Sequence, residues 1–259
     1  MKKKVVAIAL VACLAVIAIA GASLAYFTDE DSAVNVMTVG SVAIEQNEQQ
    51  RGSEGDLEEF VQNKDLSPAV DLRGADNDTT DDAFTVLDEK VGAKVFNPDI
   101  KNVIDKFVNV KNTGTKDAYI RTIIAFETVI QYEENTTNEI NLHDVYFLVN
   151  GTYDYLYNED GTAMVIEIDG TQYWLAVCTY EDAVAPEATT DYSLRQIALT
   201  WDADNEVSPL FGDSYDILCL SQGVQTTGFE SVGADYALNT AFGAITETSA
   251  QAWFEAIVK

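Results

Sequence analysis

The side chains able to do acid–base or metal chemistry are unevenly supplied: 43 aspartates and glutamates, three cysteines and one histidine, His143. A zinc protease of the common kind needs two imidazoles one helical turn apart, which a single histidine cannot furnish. A Ser-His-Asp or Cys-His site would have to use His143 as its base. Yet Asn141-Leu142-His143-Asp144 carries no nucleophile motif, and no spacing joins it to Cys178. His143 therefore reads as a plain surface residue of a loop. Glycosidic chemistry needs one carboxyl in an apolar site. Glu127 and Glu167 are the acids inside apolar runs, and each reads as facing solvent at a sheet edge. Asp202, Asp204 and Glu206 have the alternate spacing that opens a calcium loop. Val207 then stands where glycine is required and Asp213 where a bidentate glutamate is expected. Asp76, Asp78, Asp81 and Asp82 form a second acidic cluster without defined spacing. No catalytic residue, metal ligand or cofactor site is assigned. With no Gly-rich phosphate loop and no basic patch, nucleotide and nucleic-acid roles have no support.

Where the chain is sent is written more plainly. Lys2, Lys3 and Lys4 precede an uncharged apolar run from Val5 to Ala20 and a small-residue stretch, Gly21 to Ala25. This is the three-part layout of a secretory signal. As a helix the run would span about 24 Å, short against a hydrocarbon core of about 30 Å, so an uncleaved anchor is the weaker alternative. Ser23 and Ala25 supply the small side chains at −3 and −1 to a cut before Tyr26. The membrane is then met only through the leader, and the mature chain is secreted or held at the cell surface. The formal charge is −28 for the whole chain, and more negative once the three leader lysines are gone. Such a surface repels nucleic acid and anionic lipid. After cleavage Cys178 and Cys219 remain. In an exported chain they either pair as a disulfide or, lying in the apolar runs 174–180 and 217–220, stay as buried thiols.

The elements that would position any of these groups are mostly strands. Residues 34–44 are rich in β-branched side chains, so 26–45 reads as an N-terminal β segment. From Glu45 to Asp82 the composition turns polar and acidic, so 46–82 reads as a loop or linker. Residues 83–259 read as a β-sandwich domain. Tyr119 to Ile130 is apolar on both faces and should be a central strand covered on both sides. Asp169-Gly170 sits between two strand-like runs as a hairpin turn. Near 230–258 the period changes. One helix over Val232, Tyr236 and Leu238 should end at Gly243, and another should place Trp253, Phe254 and Ile257 on one face. The fold class is mainly β, a sandwich or jelly roll with short C-terminal helices and an N-terminal signal helix.

The junction Gly21-Ala22-Ser23-Leu24-Ala25-Tyr26-Phe27-Thr28-Asp29, with Asn35, Thr38-Val39-Gly40 and Val42-Ala43-Ile44-Glu45, resembles proteins whose signal is cut by the SipW-type peptidase, the TasA and camelysin group. Residues Asn102 to Gly114, Asp117 to Arg121, Tyr215 to Gln222 and Ala237 to Gly243 extend the likeness, whereas the acidic stretch 45–82 does not look like TasA. The resemblance implies a jelly roll, export by that dedicated peptidase and self-association into extracellular matrix or biofilm fibres. It also implies that the segment after the cut is a strand donated to a neighbouring subunit. On the residues themselves, Val34, Val36, Val39, Val42 and Ile44 form the candidate donor strand. Burying five such side chains contributes about 8 to 12 kcal/mol, and ordering the segment costs about as much, so it needs a waiting sheet edge for its hydrogen bonds. A monomeric surface-binding module is the alternative. The camelysin-type metallopeptidase reading lacks a histidine pair, and the chain is expected not to be an enzyme.

Overall fold

The computed structural model describes residues 28–32 as backbone, and 42–67, 85–134, 136–200, 203, 207–212 and 214–258. Its strands in chain order are β1 (Thr28–Ser32), β2 (Ile44–Arg51), β3 (Leu57–Glu59), β4 (Thr85–Asp88), β5 (Ala93–Phe96), β6 (Ile104–Asn112), β7 (Ala118–Thr128), β8 (Ile130–Tyr132), β9 (Glu139–Asn141), β10 (Phe147–Gly151), β11 (Asp154–Tyr155), β12 (Val165–Ile168), β13 (Thr171–Val184), β14 (Leu194–Leu199) and β15 (Ile217–Gln225). The helices are α1 (Leu142–Tyr146), α2 (Ser208–Phe211), α3 (Gly233–Phe242) and α4 (Glu247–Val258).

Two antiparallel sheets make a sandwich. The first runs β1-β15-β7-β13-β11, with β12 also on β13, and the second runs β10-β14-β6-β2-β3. Their shared core joins Ile124, Phe126, Ala176 and Cys219 of the first sheet to Val108, Phe147, Leu194, Ile197 and Leu199 of the second. β7 is central, and every one of its residues is buried. Its alternation explains why: Ile124 and Phe126 face the second sheet, while Ile123 and Ala125 face outward onto Ala250 and Phe254 of α4. The outer face further along, at Tyr119 and Val224, is covered by Ala234, Ala237 and Leu238 of α3. The hairpin turn is present, with Asp169 at φ 50° and Gly170 at φ 88°, the paired left-handed residues that suit a two-residue loop. α3 stops at Gly243, whose N–H bonds the Asn239 carbonyl at a φ of 93°. Its buried face is the alanine and leucine stripe, so Val232 and Tyr236 stand exposed rather than inward.

The acidic linker does not begin where composition suggested. Residues 46–51 continue β2 beside β6, and Leu57–Glu59 pairs back on β2 as β3. The strand escapes a periodicity reading because polar groups are satisfied along it. Gln46 bonds Ser221 and the Cys219 carbonyl, Asn47 bonds Asn109, Gln50 bonds Glu58, and Arg51 forks onto Asp105. Residues 68–84 lie outside the described residues, as do the leader, Ser23, Ala25 and Tyr26, the donor-strand residues Val34, Val36 and Val39, and all the candidate calcium residues.

Cys178 and Cys219 are both buried and free, which removes the disulfide. The register gives the reason. Cys178 on β13 sits opposite Thr122 of β7, and Cys219 on β15 sits opposite Ile124 on the other side of that strand. Two strand spacings of about 4.8 Å therefore separate them, beyond the roughly 7 Å that a disulfide spans between Cα atoms.

Candidate functional site

The feature best suited to function is the outer edge of β15. β1 pairs with its upper part, from Thr28 opposite Val224 to Ser32 opposite Leu220. Among the described residues nothing pairs with the edge below Leu220. The Asp216 carbonyl accepts the Glu127 N–H of β7 at 3.0 Å. Alternation along a strand then turns the backbone of Ile217 and Cys219 away from β7. The outward Cys219 carbonyl is met by the Gln46 amide at 3.3 Å, and the Gln46 carbonyl takes the Ser221 hydroxyl at 2.7 Å. One buried glutamine of β2 thus closes part of the gap between sheets at this edge.

Beside the open stretch lies a cleft of about 1010 Å³, lined by apolar residues of both sheets, among them Ile104, Phe147, Ile197, Leu199, Phe211 and Ile217. Its polar lining includes Gln62, Lys64, Asp65 and Asp216 and the Lys106–Glu48 ion pair, with the Lys106 ammonium 4.5 Å from the Phe60 ring centroid. The start of β2 bounds the edge above. Val42 and Ile44, two of the five donor-strand candidates, are buried in the chain's own core with Val110, Ala118 and Ile120. A side chain at Gly223 would come within 2.9 Å of Ile44 Cγ2, so β15 needs glycine there for β2 to approach. Val42 and Ile44 are therefore fixed parts of the domain's own core.

Next to the cleft His143 is fully buried, not a surface residue. α1 starts at Asn141, whose side chain accepts the His143 N–H, and this turn aims the imidazole into the sandwich. Its ring stacks on Phe126 at 4.7 Å and Phe147 at 5.4 Å. Nδ1 bonds the Tyr215 hydroxyl and Nε2 the Tyr155 hydroxyl, the latter at 3.0 Å. Burial pushes its pKa down to about 3, so the ring is neutral. Both ring nitrogens are engaged, which closes the site to a metal or a substrate in this arrangement.

Glu127 also departs from expectation. It lies in central β7 rather than at an edge, and its carboxylate accepts the Asp216 N–H at 2.7 Å. Burial raises its pKa to about 7, helped by the Asp216 charge and opposed by that hydrogen bond. Glu167 is exposed on β12, as expected. Sequence reasoning missed Arg121, buried in β7, which bonds Gln222, Asn239 and the Gly243 carbonyl and lies 5.6 Å from the Trp253 ring. Its only signal was a charge inside an apolar strand. Among the described residues no three His, Cys, Asp or Glu side chains converge to hold a metal ion, and no helix is long and apolar enough to cross a membrane. No family model, no curated protein and no solved structure matches the chain.

Proposed function

We propose that the chain is a secreted structural protein that assembles into extracellular matrix fibres through its N-terminal strand. The observation that carries this reading is the edge of β15. A five-residue strand occupies its upper part, while among the described residues no strand pairs with the stretch from Ile217 to Cys219 beside a cleft. An edge strand held by one backbone ladder exchanges readily between copies, because the same hydrogen bonds form within or between subunits. Export with a cleavable leader and processing by a SipW-type peptidase belong to the same reading, as do the surface or matrix location and the jelly-roll connectivity implied by the TasA likeness. The burial of Val42 and Ile44 narrows the donor to the residues before them.

The test is a deletion that respects this boundary. Mature protein starting at Tyr26 should form fibres in negative-stain electron microscopy. A chain lacking residues 26–32 should stay monomeric while keeping its far-ultraviolet circular dichroism, since it leaves the core intact. Fibres formed equally by both would end the strand-exchange reading. The 1010 Å³ cleft favours a second reading, a monomeric binding module for an apolar ligand. It would be supported by a protein that never assembles yet binds an apolar fluorescent probe that Ile197→Trp shuts out of the cleft.

A further inference from the structure

The fibre reading leaves unused the fully buried histidine and the column of rings around it. Tyr157 is 53% exposed on the surface. Its ring meets Trp174 edge-on at 5.6 Å. Trp174, itself buried, stacks on Tyr155 at 3.8 Å with the planes 9° apart. The Tyr155 hydroxyl reaches His143 Nε2 at 3.0 Å, and the opposite ring nitrogen is held by Tyr215. Three aromatic groups thus form a continuous path from solvent to an imidazole clamped between Phe126 and Phe147.

A neutral imidazole has one N–H and one lone pair. With the N–H on Nδ1 given to the Tyr215 oxygen, Nε2 accepts the Tyr155 O–H. A phenol becomes a strong acid when it loses an electron, and in an apolar interior it can be oxidised only if its proton has somewhere to go. We propose that Tyr155 and His143 form a proton-coupled redox site, at which a one-electron oxidation entering at Tyr157 comes to rest. A one-electron oxidant in solution, of the class of a trivalent ruthenium polypyridyl complex, takes one electron from the exposed Tyr157, whose phenolic proton leaves to water. Trp174 refills Tyr157, which takes a proton back from water, and Tyr155 refills Trp174. As the Tyr155 electron leaves, its O–H bond breaks and the proton passes to Nε2. The products are a neutral tyrosyl radical, an imidazolium that donates from both nitrogens, and an oxidant reduced by one electron. The Phe126 and Phe147 faces hold the cation, and the partly buried Tyr155 ring packs against the core.

Photogenerated tris(bipyridine)ruthenium(III) is a suitable probe, because a protein of formal charge −28 draws a cation to its surface. Transient absorption should show the tryptophan radical being re-reduced, and freeze-quenched paramagnetic resonance should show a tyrosyl radical. Tyr155→Phe keeps the stack on Trp174 and removes only the hydroxyl. It removes the electron donor, so it should abolish both the fast re-reduction of the tryptophan radical and the tyrosyl signal. Tyr132→Phe, an exposed hydroxyl outside the column, should change neither. Tyr157→Phe is a surface change that folds whatever Tyr155→Phe does, and it should cut the radical yield by slowing entry. Re-reduction at the same rate in Tyr155→Phe, an unchanged yield in Tyr157→Phe, or rates indifferent to deuterium oxide would each overturn the proposal.

Discussion

Two buried groups, His143 and Glu127, set opposing responses to pH. The His143 pKa falls from an ordinary 6.5 to about 3, so between those values the unfolded chain binds more protons and the folded state loses stability as pH drops below 6.5. The limit of that slope is about 1.4 kcal/mol per pH unit. Glu127 runs the other way. Its pKa rises from 4.5 to about 7, so the folded state binds the extra proton and stability is lost as pH rises through that window. Calorimetric melting from pH 4 to 8 should therefore show a maximum between the two effects. Glu127→Gln should flatten the neutral side and start the acid fall nearer 6.5, because the two slopes no longer cancel between 4.5 and 6.5. An acid fall that persists at full slope in His143→Gln would show that other groups cause it. None of this was legible in the sequence. One histidine in a polar stretch carries no mark of burial, and only the fold brings Tyr155 and Tyr215 to its two nitrogens.

Where periodicity was strong the elements were readable, and where polar groups pair inside the sandwich they were not. β7, the Asp169-Gly170 hairpin and α4 follow from alternation, turn chemistry and a helical stripe, because each buries an apolar face against one partner. β2 does not, since its inward residues Gln46 and Gln50 are buried through hydrogen bonds with distant residues, Ser221 among them. Arg121 belongs to the same class and holds whole elements together. From β7 it bonds Asn239 and Gly243 at the C-terminal end of α3, and its guanidinium lies on Trp253 of α4. The carbonyls at that helix end favour a cation. Arg121→Ala leaves Gln222 and Asn239 without this partner, and should cost about 3 kcal/mol in urea unfolding. Arg121→Lys should recover only part of it, because an ammonium cannot fork to three acceptors as a planar guanidinium does. If α3 and α4 are held by apolar packing alone, the lysine and alanine variants will match the parent.

At the scale of the molecule, assembly must overcome charge. Each mature copy brings a formal charge more negative than the −28 of the whole chain, and β1 itself reads Thr-Asp-Glu-Asp-Ser, so three of the five residues of the strand to be exchanged are acidic. Seated on β15 it faces a strand with no charged residue from Ile217 to Gln225, which gives it a ladder but no counter-charge. Hydrogen bonds between backbones hardly depend on salt, whereas repulsion between copies does, with a screening length of about 30 Å at 0.01 M and about 8 Å at 0.15 M. Fibre growth through β1 should therefore be slow in dilute buffer and accelerate steeply as sodium chloride rises through that range, followed by light scattering on the mature protein. Replacing Asp29, Glu30 and Asp31 by Asn, Gln and Asn should raise the rate in dilute buffer and flatten its salt dependence, because the ladder is kept and the like charge removed. A growth rate indifferent to salt, or a triple variant that assembles no faster at low salt, would mean that another surface controls association. The deletion of residues 26–32 would then leave fibres intact as well, so the two experiments together separate a strand that assembles the fibre from one that merely lies along it.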